Sequence, residues 1–586
     1  MAYRYVARIL MRMRTRKVSY MLLMMLCCTQ VLCAQFTFDG KRPFYDKDDH
    51  VFLLTVPEDF FGKPYTAHFV ADDSVTRVSK DGVRIYDSMK FKIVRGDTTY
   101  NFAYLCNGTL YPAFVRFTFL PVVKLSGNIT DSYATGKVYM QDPEDSITCE
   151  WNAKLKLAGA STTASWFHKH NYHIKFLDDS LEKMDVSFYG LRNDNHWRLD
   201  GGVIDLGRVR NKVSNGLWAD MGAKPYYADS QPNTRSYTRG FLVELFVNDR
   251  FMGFCDMDEY LDRKQMKLKK YNETNNEFHG MLWKAKEETW QTLFAADSTY
   301  DNGQEQWAGY DLEYPSLEDV NPTDYHILSD AIAFVENSDD DEFRQHVGEY
   351  FDLPVLRDYY VFVNVLLAVD DVCKNILWGC YDGAVDRRLT LAVWDLDAVM
   401  GQYWTNEGNY YHGSKVAPER NLEDVSYLSS NRLFMRLMEW PEFSEQVVNR
   451  YWELRPNLFC PDSLINRFTT LYDVLRYSGA LSREVKRFNR SPEFGSHELN
   501  FDDELEYVSD WLERRIAYLD TNTFATMLRG DVDGDGVVDI NDLSVMIDYL
   551  LSGNIELINV VNADIDLSGQ VTIEDLSELI DILLKQ

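Results

Sequence analysis

Basic residues are in short supply in this sequence. Only 61 Lys and Arg face 91 Asp and Glu among 586 residues, which gives a formal net charge of −30 at pH 7. A nucleic-acid-binding protein would show a basic stripe, so this balance argues against one. Hydrophobic residues (45%) and aromatic residues (14%) are plentiful, which excludes wholesale disorder. The sequence therefore predicts an acidic, folded protein of about three or four domains.

Long apolar runs are missing after the N-terminus, and cysteine is scarce. Six bases and no acid precede the short apolar run Tyr20 to Leu26, and a small residue, Ala34, follows. This order predicts a secretory signal peptide over residues 1–34, with a membrane anchor as the alternative. Its removal leaves 55 bases against 91 acids, a net charge of −36, and six cysteines without a close CxxC pair. We expect a secreted protein with no stable membrane insertion and no zinc site.

The remaining chain changes character twice. Runs of β-branched and aromatic residues between turn residues predict an all-β, sandwich-like module over residues 35–120. Residues 121–520 alternate strand-like and helical patterns and predict an α+β domain. Residues 521–586 contain two short acidic units and predict a small α module.

The two acidic units repeat at an offset of 33 residues. Oxygen-bearing side chains recur at loop positions 1, 3, 5, 9 and 12, with Gly at position 6 and a backbone carbonyl at position 7, which is the pattern of a calcium loop. The predicted calcium ligands are Asp531, Asp533, Asp535, Val537, Asp539 and Asp542 in the first loop, and Asp564, Asp566, Ser568, Gln570, Thr572 and Asp575 in the second.

One helix with an apolar face follows each loop. Leu543, Met546 and Leu550 recur in the second unit as Leu576, Leu579 and Leu583. The duplicated loop and helix, with Asp at position 12, resemble a type I dockerin. That resemblance implies two bound Ca²⁺ ions and, as partner, a cohesin domain on a scaffold protein of the cellulosome kind.

Several short motifs follow one another in the central region. They are Lys154-Leu-Lys-Leu-Ala-Gly-Ala-Ser-Thr-Thr163, Phe167-His-Lys-His-Asn-Tyr172, Arg210-Asn-Lys212, Val243-Glu-Leu-Phe-Val-Asn248, Asp370-Asp-Val-Cys-Lys-Asn375 and Trp394-Asp-Leu-Asp397. In this order they resemble the CotH family, named for a spore-coat protein and classed as atypical protein kinases. The resemblance spans about residues 121–401 and implies a protein-kinase-like fold that uses Mg²⁺ and ATP.

Phosphoryl transfer requires a cation at the phosphates and a carboxylate that orients the attacking hydroxyl. Asp370 and Asn375 are five residues apart, as in a kinase catalytic loop, and this interval favours Asp370 over the adjacent Asp371. Asp395 and Asp397 follow a strand-like segment, and side chains two apart on an extended chain point to one side. We interpret Asp370, Asn375 and Asp395 as catalytic, and Asp395 with Asp397 as magnesium ligands.

The family resemblance also implies three cofactor-binding residues: Lys169, Arg210 and Glu259, the last as a partner of Lys169. Arg210 has an alternative role, which is to pair with local acids. Two family positions differ here, because Ala158 stands in place of an Arg and His170 in place of a second Lys.

Three functions stay open at this point. The first is a Mg-ATP-dependent phosphotransferase docked to a scaffold, acting on a protein or glycan substrate. The second is a non-catalytic binding subunit on a decayed kinase-like fold. The third is a glycan-active component of polysaccharide catabolism, which rests only on the usual cargo of dockerins, since no catalytic carboxylate pair of a glycosidase is identifiable.

Overall fold

The structure is a computed structural model of the chain. It describes residues 35–91, 94–145, 148–159, 161–275, 277–298, 304, 306–316, 324–405, 412–489, 491, 498–525, 529–535, 537–566 and 570–585. The predicted signal peptide and the predicted calcium ligand Ser568 lie outside these residues. Within them, no helix is both long enough and apolar enough to cross a membrane.

The N-terminal region is β-rich, as predicted. Its strands are β1 (Phe36–Phe38), β2 (Phe44–Asp46), β3 (Val51–Thr55), β4 (Tyr65–Ala71), β5 (Val75–Lys80), β6 (Val83–Ile85), β7 (Ser88–Phe91), β8 (Tyr100–Cys106) and β9 (Thr109–Thr118). They form a three-stranded sheet, β1-β4-β7, and a six-stranded sheet, β2-β3-β9-β8-β5-β6. Aromatic side chains alternate inward and fill the space between the sheets, for example Phe36 against Phe102 with ring centroids 5.3 Å apart.

A closed barrel of seven strands follows. Its strands are β10 (Val122–Ser126), β11 (Ala134–Gln141), β12 (Thr148–Ala158), β13 (Asn171–Leu177), β14 (His196–Asp200), β15 (Gly240–Val247) and β16 (Arg250–Glu259), and helix α1 (Arg210–Met221) lies between β14 and β15. The parallel pairing of β10 with β15 closes the ring. Leu155 and Ile174 point into the apolar interior, so Lys156 and Lys175, one residue further along, point outward.

A five-stranded sheet and a set of helices complete the central region. The strands are β17 (Met281–Ala285), β18 (Gln306–Trp307), β19 (Tyr310–Tyr314), β20 (Ile376–Asp382) and β21 (Asp386–Val393), in the order β18-β19-β17-β20-β21, and a small hairpin pairs β22 (Gln402–Thr405) with β23 (His412–Lys415). The helices are α2 (His326–Asn337), α3 (Asp340–Tyr350), α4 (Leu353–Leu366), α5 (Leu422–Val425), α6 (Arg432–Met438), α7 (Pro441–Leu454), α8 (Pro461–Tyr477), α9 (Ala480–Phe488) and α10 (Phe501–Thr521).

The C-terminal region is helical, with α11 (Ile540–Ser552), α12 (Val560–Ala563) and α13 (Ile573–Lys585). Its small core joins the two repeats through Met546 and Leu579, which are both fully buried. The sequence predicted a mixed α/β centre and a helical end, and both are confirmed.

Candidate active site and calcium loops

The predicted pair Asp370 and Asn375 meets in the structure. Helix α4 ends at Leu366, and the following turn brings the two side chains together, so that Asn375 Nδ2 donates to Asp370 Oδ2 at 3.0 Å. The other oxygen of Asp370 lies 2.8 Å from Lys374 Nζ. Burial raises the pKa of the Asp370 carboxyl, and Lys374 opposes the rise. The two residues, five positions apart, are therefore joined by a hydrogen bond, and the Lys374 ammonium group lies beside them.

Asp371 is the most unusual carboxylate of the site. Its side chain is 1% exposed, and neither carboxylate oxygen has a hydrogen-bond partner among the residues that the structure describes. Burial, followed by the neighbouring charges of Asp370, Asp395 and Asp397, raises the pKa of Asp371 well above its ordinary value. A buried carboxylate without a partner is costly unless a proton or a cation compensates its charge.

Asp395 and Asp397 follow β21, but the backbone is not extended at Asp395. Asp395 has φ +62°, and Asn375 across the site has φ +58°, so the expectation of an extended end at Asp395 was wrong. Asp and Asn are among the few residues with a side chain that tolerate the left-handed region. Solvent reaches the Asp395 side chain, whereas Asp397 is half-buried.

The residues present fit a hard divalent cation. Surrounding protein raises the pKa of Asp395, with Lys284 and Arg198 opposing the rise, and burial together with Asp395 raises the pKa of Asp397 well above its usual range. Oxygen donors and an unpartnered buried carboxylate are what Mg²⁺ favours and what its charge would compensate.

Two cations beside Asp395 were not predicted. Arg198 on β14 and Lys284 on β17 flank Trp394, with the guanidinium 4.7 Å and the ammonium 5.1 Å from ring centroids of that residue. Arg198 also pairs with Asp200 at 2.9 Å. The alternation of β14 places Arg198 on the outer face of the barrel, which the sequence signals only once the strand is known.

More positive charge gathers on this outer face, around His173. Burial, followed by the charges of Lys156, Arg198, Lys175 and Lys284, lowers the pKa of His173 to about 3. His173 Nδ1 lies 3.1 Å from His196 Nε2, and the His196 ring stacks on Tyr260. We call Lys156, Lys175, Arg198 and Lys284 the cation cluster. It adjoins Asp395 through Arg198 and Lys284.

Lys169 does not belong to this cluster. It is fully buried, and its Nζ donates to Glu484 Oε1 and to the carbonyl of Phe254, both at 2.7 Å. Glu484 extends from α9 and also pairs with Arg208 at 2.9 Å. The predicted partnership of Lys169 with Glu259 was wrong, because Glu484 neutralises the lysine inside the protein.

Glu259 lies elsewhere, at the end of β16. It is 1% exposed and forms ion pairs with Arg239 at 3.0 Å and Arg235 at 3.7 Å. It also accepts from the backbone N–H of Arg192 at 2.6 Å. These contacts satisfy the carboxylate within its own surroundings, so in this structure it offers no group to a cofactor.

Arg210 takes the alternative role considered from the sequence, pairing with local acids. It is fully buried, 2.7 Å from Asp205 and 2.6 Å from Glu504. It also donates to the carbonyls of Val399 and Met400. Arg210 therefore ties the segment after Asp397 to α1 and α10 instead of facing a phosphate.

The calcium loops present their carboxylates at close range. In the first loop, carboxylate oxygens of Asp531, Asp533 and Asp535 lie within 4.8 Å of one another, and in the second the same holds for Asp564, Asp566 and Asp575. Among the described residues, only these two groups have three such ligand atoms this close together. The geometry agrees with the ligand types predicted from the sequence.

The carboxylates at position 12 accept equivalent hydrogen bonds in the two repeats. Asp542 accepts from the backbone N–H groups of Val532, Asp533 and Asp539, and Asp575 accepts from the equivalent groups of Ile565, Asp566 and Thr572. The shorter Asp at this position thus closes each loop onto the first turn of its helix.

The apolar helix faces divide into buried and exposed parts. Met546 and Leu579 are buried, whereas matching positions of the two repeats are exposed to nearly equal extents. These pairs are Ile540 and Ile573 (64% and 66%), Ile547 and Ile580 (39% and 40%), and Leu551 and Leu584 (81% and 80%). The repeats therefore display two almost equivalent apolar surfaces.

Known protein families match both the central region and the C-terminal region. The family model described as CotH kinase protein matches residues 155–519, which is more than half of the chain, and the type I dockerin domain model matches residues 529–584. No curated protein matches the chain.

Two solved structures align with part of it: an anomalous substructure of Titin-A168169 at 9% identity, and the titin Ig tandem domains A164-A165 at 7%. Each alignment covers 25% of this chain, and 92% and 91% of the titin chains, at a TM-score of 0.09. Scores this low carry no statement about the fold.

Proposed function

Because the chain belongs to the CotH family and ends in a type I dockerin, we propose that it is a secreted phosphotransferase carried on a cohesin-bearing scaffold. Its central site transfers a phosphoryl group from a Mg²⁺-bound phosphoanhydride, with ATP as the reference donor, to a hydroxyl group. Its two C-terminal loops bind Ca²⁺.

One observation carries the catalytic half of this proposal. Asp370, Asp371, Asp395 and Asp397 come from two segments and lie close enough to interact electrostatically, and Arg198 and Lys284 act on Asp395. Carboxylates alone would favour a metal, and cations alone would favour an anion. The two together suit a metal-bound polyanion, which is how phosphoryl-transfer sites stabilise their substrate.

The geometry supports a role for each of these residues. Asp395, Asp397 and Asn375 would hold Mg²⁺, which supplies charge neutralisation to the phosphates when bound. Asp370 is held between Lys374 and Asn375, and it remains partly accessible, with 18% of its side chain exposed. A carboxylate in that position can accept the proton of an acceptor hydroxyl as the oxygen attacks phosphorus.

The test is phosphoryl transfer by the full mature chain, with Mg²⁺ and γ-labelled ATP. Generic acceptor proteins and soluble polysaccharides serve as acceptors, and transfer to the chain itself counts as activity. Asp370→Asn should spare ATP binding and reduce transfer at least a hundredfold, because a general base contributes about 10²–10⁴-fold. Asp510→Asn, on the exposed face of α10, is the matched control. Equal transfer by Asp370→Asn and by the wild-type protein would contradict the assigned role.

For the C-terminal region, the exposed apolar pairs support cohesin binding. Leu551 and Leu584 are about 80% exposed on equivalent faces, and apolar patches of this kind mark interaction surfaces. We expect Leu551→Asp and Leu584→Asp singly to weaken capture by cohesins modestly, and the double variant to abolish it. Val385→Asp, at an equally exposed apolar residue in the central region, is the control. Undiminished capture by the double variant would show that this surface does not bind cohesins.

A further inference from the structure

In the cation cluster, Arg198 pairs with Asp200 and Asp258, but among the described residues two other members of the cluster have no such partner. Lys156 and Lys284 form no ion pair within 4.0 Å in the part of the chain that the structure describes, although the chain as a whole has an excess of acids. Four like charges around one neutral imidazole repel one another. Such a concentration is stable when an anion of several charges binds among them.

The cluster also has a defined shape. Lys156 and Lys175 lie on adjacent strands, with their ammonium groups 4.8 Å and 4.6 Å from the ring centroid of Tyr133. Arg198 continues the row on β14, since it pairs across the sheet with His173. Lys284, on β17, acts both on His173 in this row and on Asp395. A linear anion could therefore run from Asp395 along the outer face of the barrel.

The aromatic rings in this area already have partners. His196 and Tyr260 stack on each other with centroids 3.9 Å apart, Tyr133 contacts two ammonium groups, and Trp394 contacts Arg198 and Lys284. A pocket for a purine is ordinarily a largely apolar slot with a few placed polar groups. The side chains here are instead mainly charged, which suits phosphates much better than a base.

We propose that this site recognises the phosphate chain of its donor and not the nucleoside, so that inorganic tripolyphosphate is bound as well as ATP. The inference rests on the proposed function, since it concerns the donor of the same reaction. In the transfer, the acceptor oxygen forms a bond to the terminal phosphorus, and the bond from that phosphorus to its bridging oxygen breaks. The acceptor proton passes to Asp370, and the shortened phosphate chain leaves with the bridging oxygen.

The experiment is isothermal titration calorimetry on the full mature chain with Ca²⁺ and Mg²⁺ present. The probes are ATP, GTP, sodium tripolyphosphate and adenosine. We expect the Kd values of ATP, GTP and tripolyphosphate to agree within about threefold, and adenosine at millimolar concentration neither to bind nor to compete. Binding of all three anions should weaken steeply as salt rises, because the recognition is ionic.

Variants locate the site. Lys156→Gln and Lys284→Gln should each weaken the binding of ATP and of tripolyphosphate by an equal factor of about five to ten, whereas Lys90→Gln, exposed on β7 of the N-terminal region, should change neither. Thermal melting of each variant checks that it is folded. The comparison among the probes on the wild-type chain needs no variant.

Two results would overturn the inference, and they are distinguishable. If ATP binds more than tenfold tighter than tripolyphosphate and adenosine competes, the nucleoside is recognised and the inference fails while the proposed function stands. If none of the phosphoanhydrides binds, both fail together.

Discussion

The central site and the C-terminal loops are both clusters of carboxylates, but they differ in how the protein compensates the charge. Between residues 530 and 584 there is no Lys or Arg at all, so we expect the loops to depend on ions from solution. In the central site, Arg198 and Lys284 act on Asp395 and Lys374 pairs with Asp370, and these cations come from different elements of the fold.

This difference separates folding from ligand binding. Loop carboxylates without cations repel one another, and the short helices that follow them are marginal alone, so we expect this region to fold only when Ca²⁺ is bound. The central carboxylates are partly neutralised by their own neighbours, so we expect that region to fold without metal.

Removal of calcium should have the largest effect. In a segment of residues 521–586, a chelator should abolish most of the helical signal in circular dichroism, because Asp531, Asp533 and Asp535 and their counterparts then face one another unshielded. A mature chain ending at residue 520 is the control and should keep its spectrum in the same chelator. Equal helicity of the segment with and without calcium would contradict the contrast.

Loss of Arg210 should have the next largest effect. Arg210→Met leaves Asp205 and Glu504 without their cation, and unpairing a buried ion pair costs about 3–5 kcal/mol of stability. Thermal unfolding of the central domain measures this loss of stability. Arg514→Met removes the exposed pair with Glu419 and should cost at most about 1 kcal/mol. If Arg210→Met melted normally but lost ATP binding, Arg210 would be a ligand-binding residue as the family resemblance implied.

Asp395→Asn should affect binding and not folding. Asn tolerates the left-handed conformation at this position, and it removes one charge from a crowded cluster. Mg²⁺-dependent ATP binding should therefore fall more than tenfold, while the melting temperature without metal stays equal or rises. Asp510→Asn should change neither. A strong loss of stability without metal would show that Asp395 is needed for the fold.

The smallest effect concerns His173. Its folded-state pKa of about 3 lies below the ordinary value of 6.5, so the unfolded chain binds its proton first as the pH falls. The stability due to neutral His173 is complete above pH 6.5 and is lost progressively as pH falls from 6.5 toward 3. Urea unfolding at pH 7 and pH 5.5 should show a decline that is about 1 kcal/mol smaller in His173→Gln. An identical decline in both proteins would place His173 in an unperturbed environment.

What could be predicted from the sequence also differs between local features and contacts of distant residues. The calcium ligands of each loop lie within twelve residues, so their spacing alone indicated the site, although Ser568 lies outside the described residues. The interval between Asp370 and Asn375 was likewise local, and in the structure a hydrogen bond joins the two side chains. Local spacing is what a single sequence records best.

Contacts between distant residues were not predictable in this way. Lys169 pairs with Glu484, more than three hundred positions later, because α9 reaches the barrel, and no spacing rule indicates that. Arg198 and Lys284 come to Asp395 from separate strands, and the sequence marks each of them only by the weak signal of strand alternation. The left-handed backbone at Asp395 was hidden because the residues before it read as a continuing strand.

The independence of the two regions can be tested by titrating the full mature chain with ATP and Mg²⁺, first with calcium bound and then after selective chelation of calcium with Mg²⁺ restored. We expect Mg²⁺-dependent ATP binding with the same affinity in both states, although the C-terminal helices unfold in the second. No binding at millimolar nucleotide in either state, or binding that disappears together with the calcium, would contradict this expectation.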